Sequence, residues 1–399
     1  MTERLGTRFW SLWTGETLSS LGTWIQWIAL PLWILDVTGS PLAAGGALAL
    51  ETLPRILLAP WAGLLIDRFD RRAVALGANL VLGVLTAATV PAVLAEAVIM
   101  VYALTLLTSA VRTVSTAAPQ AMIPRLVPES RLTTANAAMA WTTGSTMVLG
   151  PLAGVGIATA IGFPSAVVAN AVSYGAAVLC LLGVGGQAPA GGRERTSPMR
   201  ALRGGLTALL RDPVLRYAVL AEGVVLLFFG AAPQFIVVSI NLSGTSVGSG
   251  LFVSGMGAGW LVISLTLSKI RLPVDPLVLL IAGAISTAPI ALAAAAAAHL
   301  GTAWTFAAGL LVGALNLLLL MSPNLLSQQR ADDAVLGRVY SFRRSMALTA
   351  QLVSIGLWSV TTEVLREPAW AIAGGGVLAT LTALPLTLRA RSAALQAAP

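Results

Sequence analysis

The sequence predicts an all-α integral membrane protein of twelve transmembrane helices in two six-helix halves. Three observations carry that prediction. Of the 399 residues, 57% are hydrophobic and 10% charged, where a soluble domain would carry about 25% charged residues. A water-facing surface cannot be built from 24 Lys+Arg and 16 Asp+Glu, and a mean hydropathy of +0.85 says the same; most of the surface faces lipid. Finally, at roughly 20 to 24 residues per span plus short loops, the chain holds about twelve spans and no sizeable soluble domain.

Taken in order, the apolar runs place spans near 9–35, 41–65, 73–95, 97–118, 134–158 and 162–185, then 214–240, 248–268, 275–297, 302–326, 345–365 and 369–388. The first run is too long, too rich in tryptophan and too poor in small residues at its end to be a cleaved leader, so it is expected to stay attached. Between 73 and 118 only Ala95-Glu96-Ala97 interrupts the apolar residues. That length is too great for one span and right for a hairpin of two. The longest polar segment, 186–213, is rich in Gly, Pro and Arg and reads as a cytoplasmic linker between an N-terminal half, 1–185, and a C-terminal half, 214–399. Two such halves are the expected shape of a transporter built from parallel repeats. A weak internal echo agrees: Arg8 precedes Glu16 in the first span, and Arg216 precedes Glu222 in the seventh.

The bases sort by side. Alternate loops hold Arg4 and Arg8, then Arg68, Arg71 and Arg72, and so on through Arg330, Arg338, Arg343 and Arg344 to Arg389 and Arg391, in all 21 of the 24. The opposite loops hold Arg366 alone, beside Asp36, Glu96, Glu363 and Glu367. The positive-inside rule therefore puts both termini in the cytoplasm and the protein in the inner (plasma) membrane. The net charge of +8 belongs to these loops and is no sign of a nucleic-acid partner. One cysteine, Cys180, and one histidine, His299, leave no intrachain disulfide and no Cys/His metal site. No nucleophile–base–acid set appears, so an enzyme is not expected, and no G-x-x-x-x-G-K-[ST] loop is present for direct ATP coupling. No cofactor is implied, and the small residues are sufficient to pack a monomer.

One loop carries a family signature. Gly63-Leu64-Leu65-Ile66-Asp67-Arg68-Phe69-Asp70-Arg71-Arg72 fits G-x-x-x-D-R-x-x-R-R between spans two and three, and so resembles the major facilitator superfamily. Thr38-Gly39-Ser40-Pro41-Leu42, Glu51 with Pro54-Arg55, Leu126-Val127-Pro128, Ala135-Asn136-Ala137, Gly150-Pro151, Asn170-Ala171 with Ser173-Tyr174, and Gly337-Arg338-Val339 resemble its branch of enterobactin exporters and macrolide-efflux proteins. The loop Ser268-Lys269-Ile270-Arg271 keeps little of the repeated signature. The resemblance implies the major facilitator fold and a cytoplasmic gate of Gly63, Asp67, Arg68, Arg71 and Arg72 that docks near Ser345. Arg71 and Arg72 serve either that gate or topology and anionic membrane lipids. Gly144, Gly150, Pro151 and Gly154 resemble a reduced antiporter motif, readable as a helix hinge or as helix packing.

Five charged residues cannot be assigned to loops: Glu16, Glu51, Arg55, Arg112 and Glu222. Each is costly in lipid and is expected to face a wet cavity or a partner. Arg55 lies twelve residues before Asp67 and Arg112 thirteen before Arg125, about 18 and 20 Å along a helix. Glu51 and Arg55, four apart, share a helix face and can pair. Three acids against two bases leave one carboxyl without a partner, free to carry a proton. In the family the resemblance indicates, the first and seventh spans line a central cavity, which makes Glu16 and Glu222 the candidates. Arg112 resembles an arginine of drug antiporters and can pair with Glu16. The alternative is a static structural network.

Trp10, Trp13, Trp33 and Trp61 fall near span ends, as an interfacial belt does. Trp24, Trp27, Phe228, Phe229 and Phe235 lie deeper, near Gln26 and Gln234, and suit either an amphipathic molecule or helix packing. The expected function is secondary active export of a small-molecule substrate, amphipathic and of the drug, siderophore or secondary-metabolite kind, in exchange for protons. An uptake carrier of the same fold, or a membrane sensor that transports nothing, are the alternatives.

Overall fold

A computed structural model of the chain describes residues 5–186, 198–242, 246–269, 275–331, 333–365 and 368–396. All its regular structure is helical, and among the described residues twelve stretches are long and apolar enough to cross a membrane. The protein is a multi-pass membrane protein. The chain forms two compact units, Met1–Glu194 and Arg195–Pro399.

The first unit contains α1 (Thr7–Thr38), α2 (Pro41–Arg68), α3 (Arg71–Leu94), α4 (Val98–Leu126), α5 (Leu132–Ile161) and α6 (Phe163–Leu182). Local chemistry sets several of the ends. Gly39 closes α1 in the left-handed region at φ +64°, returning its N–H to the Leu35 carbonyl at 2.8 Å, a conformation that costs glycine nothing. The next residue, Ser40, caps α2 through Ala43 N–H, and Pro41 occupies the first turn, where no N–H is needed. Asp70 caps α3 through Ala73 N–H at 2.8 Å. The expected break at Ala95-Glu96-Ala97 is a tight turn in which Glu96 takes φ +52°. In this unit α1 lies against α5 and α6, and α3 against α4 and α6.

The second unit contains α7 (Pro198–Arg211), α8 (Pro213–Phe229), α9 (Ala232–Leu242), α10 (Ser246–Lys269), α11 (Pro276–Leu300), α12 (Thr302–Arg330), α13 (Asp333–Leu365) and α14 (Pro368–Gln396). Asp212 and Asp275 cap α8 and α11, each followed by proline. Helices α10 and α12 approach until main chain meets main chain: a Cβ at Gly309 would lie 1.9 Å from the Phe252 carbonyl oxygen. Small residues permit that approach where lipid supplies no hydrophobic drive.

Three elements differ from the sequence reading. The second part of the segment read as a linker is α7, an amphipathic helix that buries Leu209 against Val214, Leu215 and Val339; residues 187–197 lie outside the described residues. The seventh span is two helices, α8 and α9, divided at Gly230-Ala231. Proline at 233 lacks an amide hydrogen, and a Cβ at Gly230 would lie 2.3 Å from the Leu226 carbonyl oxygen. The main chain at the break is not left bare, because Ala231 N–H donates to Ser354 Oγ of α13 at 3.1 Å. The third difference is α13, which starts twelve residues before the expected 345, so that Arg338, Arg343 and Arg344 stand on a helix and not in a loop.

Candidate functional site

In the first unit the charged groups gather on α2 and α4. Glu51 is buried at 8% exposure, and its carboxylate Oε1 lies 3.5 Å from Arg112 Nη1. Its main-chain carbonyl accepts from Ser109 Oγ at 2.5 Å and from Arg55 Nε at 3.2 Å. The expected Glu51–Arg55 side-chain pair is therefore replaced: Arg55 points outward, exposed, and binds the Glu51 main chain and Thr52 Oγ1. Four-residue spacing put the two on one face, but a neighbouring helix supplied a better placed guanidinium. Charge burial makes such a partner necessary, because an unpaired ion in this position is costly.

Glu16 of α1 is half-buried and has no hydrogen bond or ion pair among the described residues. Arg112, suggested as its partner, is engaged with Glu51. On the neighbouring turns of α1, Thr17 Oγ1 meets Thr142 Oγ1 at 2.8 Å, Ser20 Oγ meets Thr146 Oγ1 at 2.9 Å, and Trp13 Nε1 donates to the Ala138 carbonyl at 2.9 Å. These bonds fasten α1 to α5. Lower along the same contact, a Cβ at Gly150 would lie 2.4 Å from Trp24 Cβ, and one at Gly154 would lie 2.5 Å from the Ile25 carbonyl oxygen. Gly150, Pro151 and Gly154 are buried in this face of α5. The glycines let α5 close on the helix that carries Glu16.

The signature loop divides into two parts. The surroundings of Gly63 and of the Asp67 side chain lie outside what the structure describes; Arg68 is exposed and stands 5.7 Å over the Phe69 ring. Arg71 and Arg72 have defined tasks inside the unit. Arg71 Nη1 donates to the Ala121 carbonyl of α4 at 2.6 Å, and Arg72 donates from Nε and Nη2 to the Leu181 and Leu182 carbonyls at 2.9 and 2.8 Å. Those carbonyls belong to the last turn of α6, and the Leu181 oxygen also accepts Val184 N–H at 3.1 Å.

In the second unit Glu222 of α8 is 3% exposed. Arg343 Nε of α13 lies 3.8 Å from its Oε2. Arg343 was assigned by sequence to a cytoplasmic loop, yet it is 8% exposed and supplies the buried Glu222 with a positive partner. Arg343 Nη2 donates to Asn324 Oδ1 of α12, and the guanidinium stands 5.6 Å over the Tyr340 ring. Asn324 in turn donates to the Leu320 carbonyl at 2.9 Å. Glu222, Arg343, Asn324 and Tyr340 border a cavity of about 720 Å³ that also reaches Gly230 at the break in the seventh span, Trp260, Asn316 and Arg344. Sequence reading missed Arg343, Asn324 and Trp260. The available signal was the run from 333 to 344, which contains no proline and one glycine and so gives a helix no reason to stop before the apolar residues begin.

The deeper aromatics divide in the same way. Phe235 is fully buried in the second unit and is packing. Trp24 and Trp27 meet edge to face at 5.1 Å, and Asn170 Nδ2 donates to Gln26 Oε1 at 2.6 Å. Trp33, placed by sequence in an interfacial belt, stacks on Phe163 at 5.4 Å.

Known proteins bear on this arrangement. Over 130 residues the chain is 29% identical to macrolide efflux protein A of Streptococcus pyogenes, a stretch that is 32% of each chain. Over 221 residues it is 27% identical to the MFS-type transporter YfiS of Bacillus subtilis strain 168, covering 54% of this chain and 52% of that one. The matched stretches thus span between a third and a half of these relatives. Among solved structures, the POT family transporter PepTSo superposes with a TM-score of 0.78 at 13% identity, covering 99% of each chain. A bacterial homologue of the iron transporter ferroportin, in its inward-facing state, gives 0.71 at 15% identity over 96% of this chain and all of that one. At such identities the likeness is one of fold. The sequence profile described as Major Facilitator Superfamily matches residues 12–354. With twelve apolar spans among the described residues, in two units, and with that profile running through most of both, the protein belongs to the major facilitator superfamily of membrane transporters.

Proposed function

We propose that the protein exports amphipathic small molecules from the cytoplasm in exchange for protons, its two six-span halves alternating access to the substrate. The observation that carries this reading is the contrast between two membrane carboxyls. Glu16 has no ionic partner among the described residues, and Glu222 borders a cavity of about 720 Å³ beside a broken helix. A carboxyl without a fixed counter-ion is free to take up and release a proton as water reaches it from alternate sides. Broken helices at membrane depth commonly border transport sites, because the freed backbone is tolerated where it lines a cavity. The partial identity with a macrolide efflux protein supports efflux as the direction. In this reading both termini are cytoplasmic in the inner membrane, and Gly63, Asp67 and Arg68 latch the cytoplasmic side while Arg71 and Arg72 brace the helices behind that latch.

The test is flux in proteoliposomes under an imposed pH gradient, with substrates first chosen by efflux and resistance screening in a strain without its own pumps. Glu16→Gln and Glu222→Gln are each expected to lower gradient-driven flux about tenfold or more, the range of ordinary coupling free energies, while counterflow in the absence of a gradient persists. If both variants keep gradient-driven export, the proton carrier lies elsewhere.

A further inference from the structure

Within the second unit, the cavity beside Glu222 has a recognisable donor and acceptor pattern. Arg343 Nη1 is buried and has no hydrogen-bond partner, and neither does Glu222 Oε2. The two side chains are 9% and 3% exposed and both border the same space of about 720 Å³. Buried polar atoms are rarely left in this condition, since each has given up water without replacement. The guanidinium cannot simply rotate to cure the defect. Its Nη2 already meets Asn324 Oδ1 and the guanidinium stands 5.6 Å over the Tyr340 ring, so turning it to pair Nη1 would give up those contacts. An unsatisfied donor therefore stands next to an unsatisfied acceptor.

The charge of the lining selects further. Its ionisable side chains among the described residues are Glu222, Arg343 and Arg344, one carboxyl and two guanidiniums, and Arg344 is exposed. Even an ionised Glu222 offsets only one guanidinium, so a positive charge is left over. A cationic ligand would meet that excess as repulsion, and an anionic ligand as attraction, in a space where low dielectric strengthens both. The remaining wall is mostly apolar, with Leu226 and Leu320 on two helices and the Trp260 indole held by its Nε1–H to Asn316 Oδ1 at 3.3 Å. A fixed aromatic wall with a few convergent polar groups is the usual form of a small-molecule site.

We infer that this cavity binds amphipathic organic acids carrying a hydroxyl or N–H donor beside the carboxylate: Arg343 and Arg344 take the acid, Glu222 accepts the donor, and the apolar body lies along Trp260 and the leucines. The inference rests on the transport reading of the same site and narrows its substrate class from amphipathic molecules in general to acids.

Two fluorescent probes with one body and opposite charge test it. Dansylglycine carries a sulfonamide N–H next to a carboxylate; the mono-dansyl derivative of ethylenediamine carries an ammonium in its place. With the purified full chain in detergent at neutral pH, and protein-free micelles as the blank, dansylglycine is expected to bind saturably and at least about tenfold more tightly than the amine, the discrimination a hydrogen-bonded charge pair ordinarily gives. Arg344→Gln, at an exposed position, should weaken the acid about threefold or more. Replacing the buried pair together, Glu222→Gln with Arg343→Gln, leaves no uncompensated charge and should weaken it further. Equal or tighter binding of the amine, no saturable binding of either probe, or acid binding indifferent to both changes would each overturn the inference. Flux separates it from the transport reading: saturable acid binding with no flux under any gradient refutes transport and keeps the site, whereas acid flux unaltered by Arg344→Gln and the double replacement refutes the site and keeps transport.

Discussion

Arginine does three different jobs in this protein, and neighbours decide which. Arg112 and Arg343 neutralise buried glutamates; Arg68 stays exposed at the loop; Arg71 and Arg72 bind carbonyls at the ends of two other helices. For Arg72 the role is structural and measurable. Its two bonds to the end of α6 are charge-assisted, and such bonds contribute about 1.5–3 kcal/mol when well formed and less where solvent reaches them. Arg72→Ala should therefore lower the thermal unfolding temperature of the purified protein by a few degrees, and Arg72→Lys, which cannot span both carbonyls in a plane, should recover only part of the loss. An unfolding temperature unchanged in both variants would show that these bonds carry no stability. The loop signature made Asp67 and Arg68 legible as gate candidates, but the bracing by Arg71 and Arg72 depends on where α4 and α6 end in space, which no spacing within the loop encodes.

At the scale of the helix, glycines decide close approach and main-chain bonds decide breaks. The contact between α1 and α5 depends on Gly154, where an added Cβ would press on the Ile25 carbonyl oxygen at 2.5 Å, while at Gly156, two residues on, nothing lies within 4 Å. Gly154→Ala should destabilise by about 1–3 kcal/mol through forced separation of the helices, and Gly156→Ala should be neutral or slightly stabilising from its better helix propensity. Comparison of the two melting curves checks the contact independently of any transport assay. The broken seventh span gives a second case. Ser354 Oγ accepts the Ala231 N–H at a buried position, so Ser354→Ala leaves that amide without a partner at a cost of about 1–3 kcal/mol, and Ser354→Thr, which restores a hydroxyl, should retain more of the stability. Equal stability of the alanine and threonine variants would mean that the break is held by other contacts. Helix starts were readable in advance because Ser40-Pro41, Asp212-Pro213 and Asp275-Pro276 pair a capping side chain with a proline that needs no amide partner. The break at Gly230 was not, since its apolar flanks resemble a continuous span and its satisfaction comes from α13.

For the molecule as a whole, the proposed orientation rests on the asymmetry of the loops, with 21 of the 24 bases assigned by sequence to alternate loops. One of these, Arg343, proves to be buried on a helix, and Arg344 next to it borders a cavity; removing both leaves the asymmetry intact, so the topology argument survives the correction. It predicts that a C-terminal green fluorescent protein fusion is bright and a C-terminal alkaline phosphatase fusion inactive in bacterial cells, and that the phosphatase becomes active when moved to the turn at Glu96. The opposite pattern would invert the whole assignment, including the side on which the signature loop acts.

Composition, apolar run length and loop charge were enough to determine a twelve-span membrane protein in two halves, because lipid imposes length and polarity limits that each span must meet by itself. The loop Gly63 to Arg72 was enough to suggest its family. Which charges pair was a different matter. Glu51 and Arg55 share a helix face, yet Glu51 faces Arg112, 61 residues away in the chain, and Glu222 faces Arg343, which sequence had placed outside the membrane. A buried charge is satisfied by whatever group tertiary packing brings within a few ångströms, and that distance is set by how helices cross rather than by how residues follow one another. The two orphaned atoms of the Glu222–Arg343 pair exist only at that level.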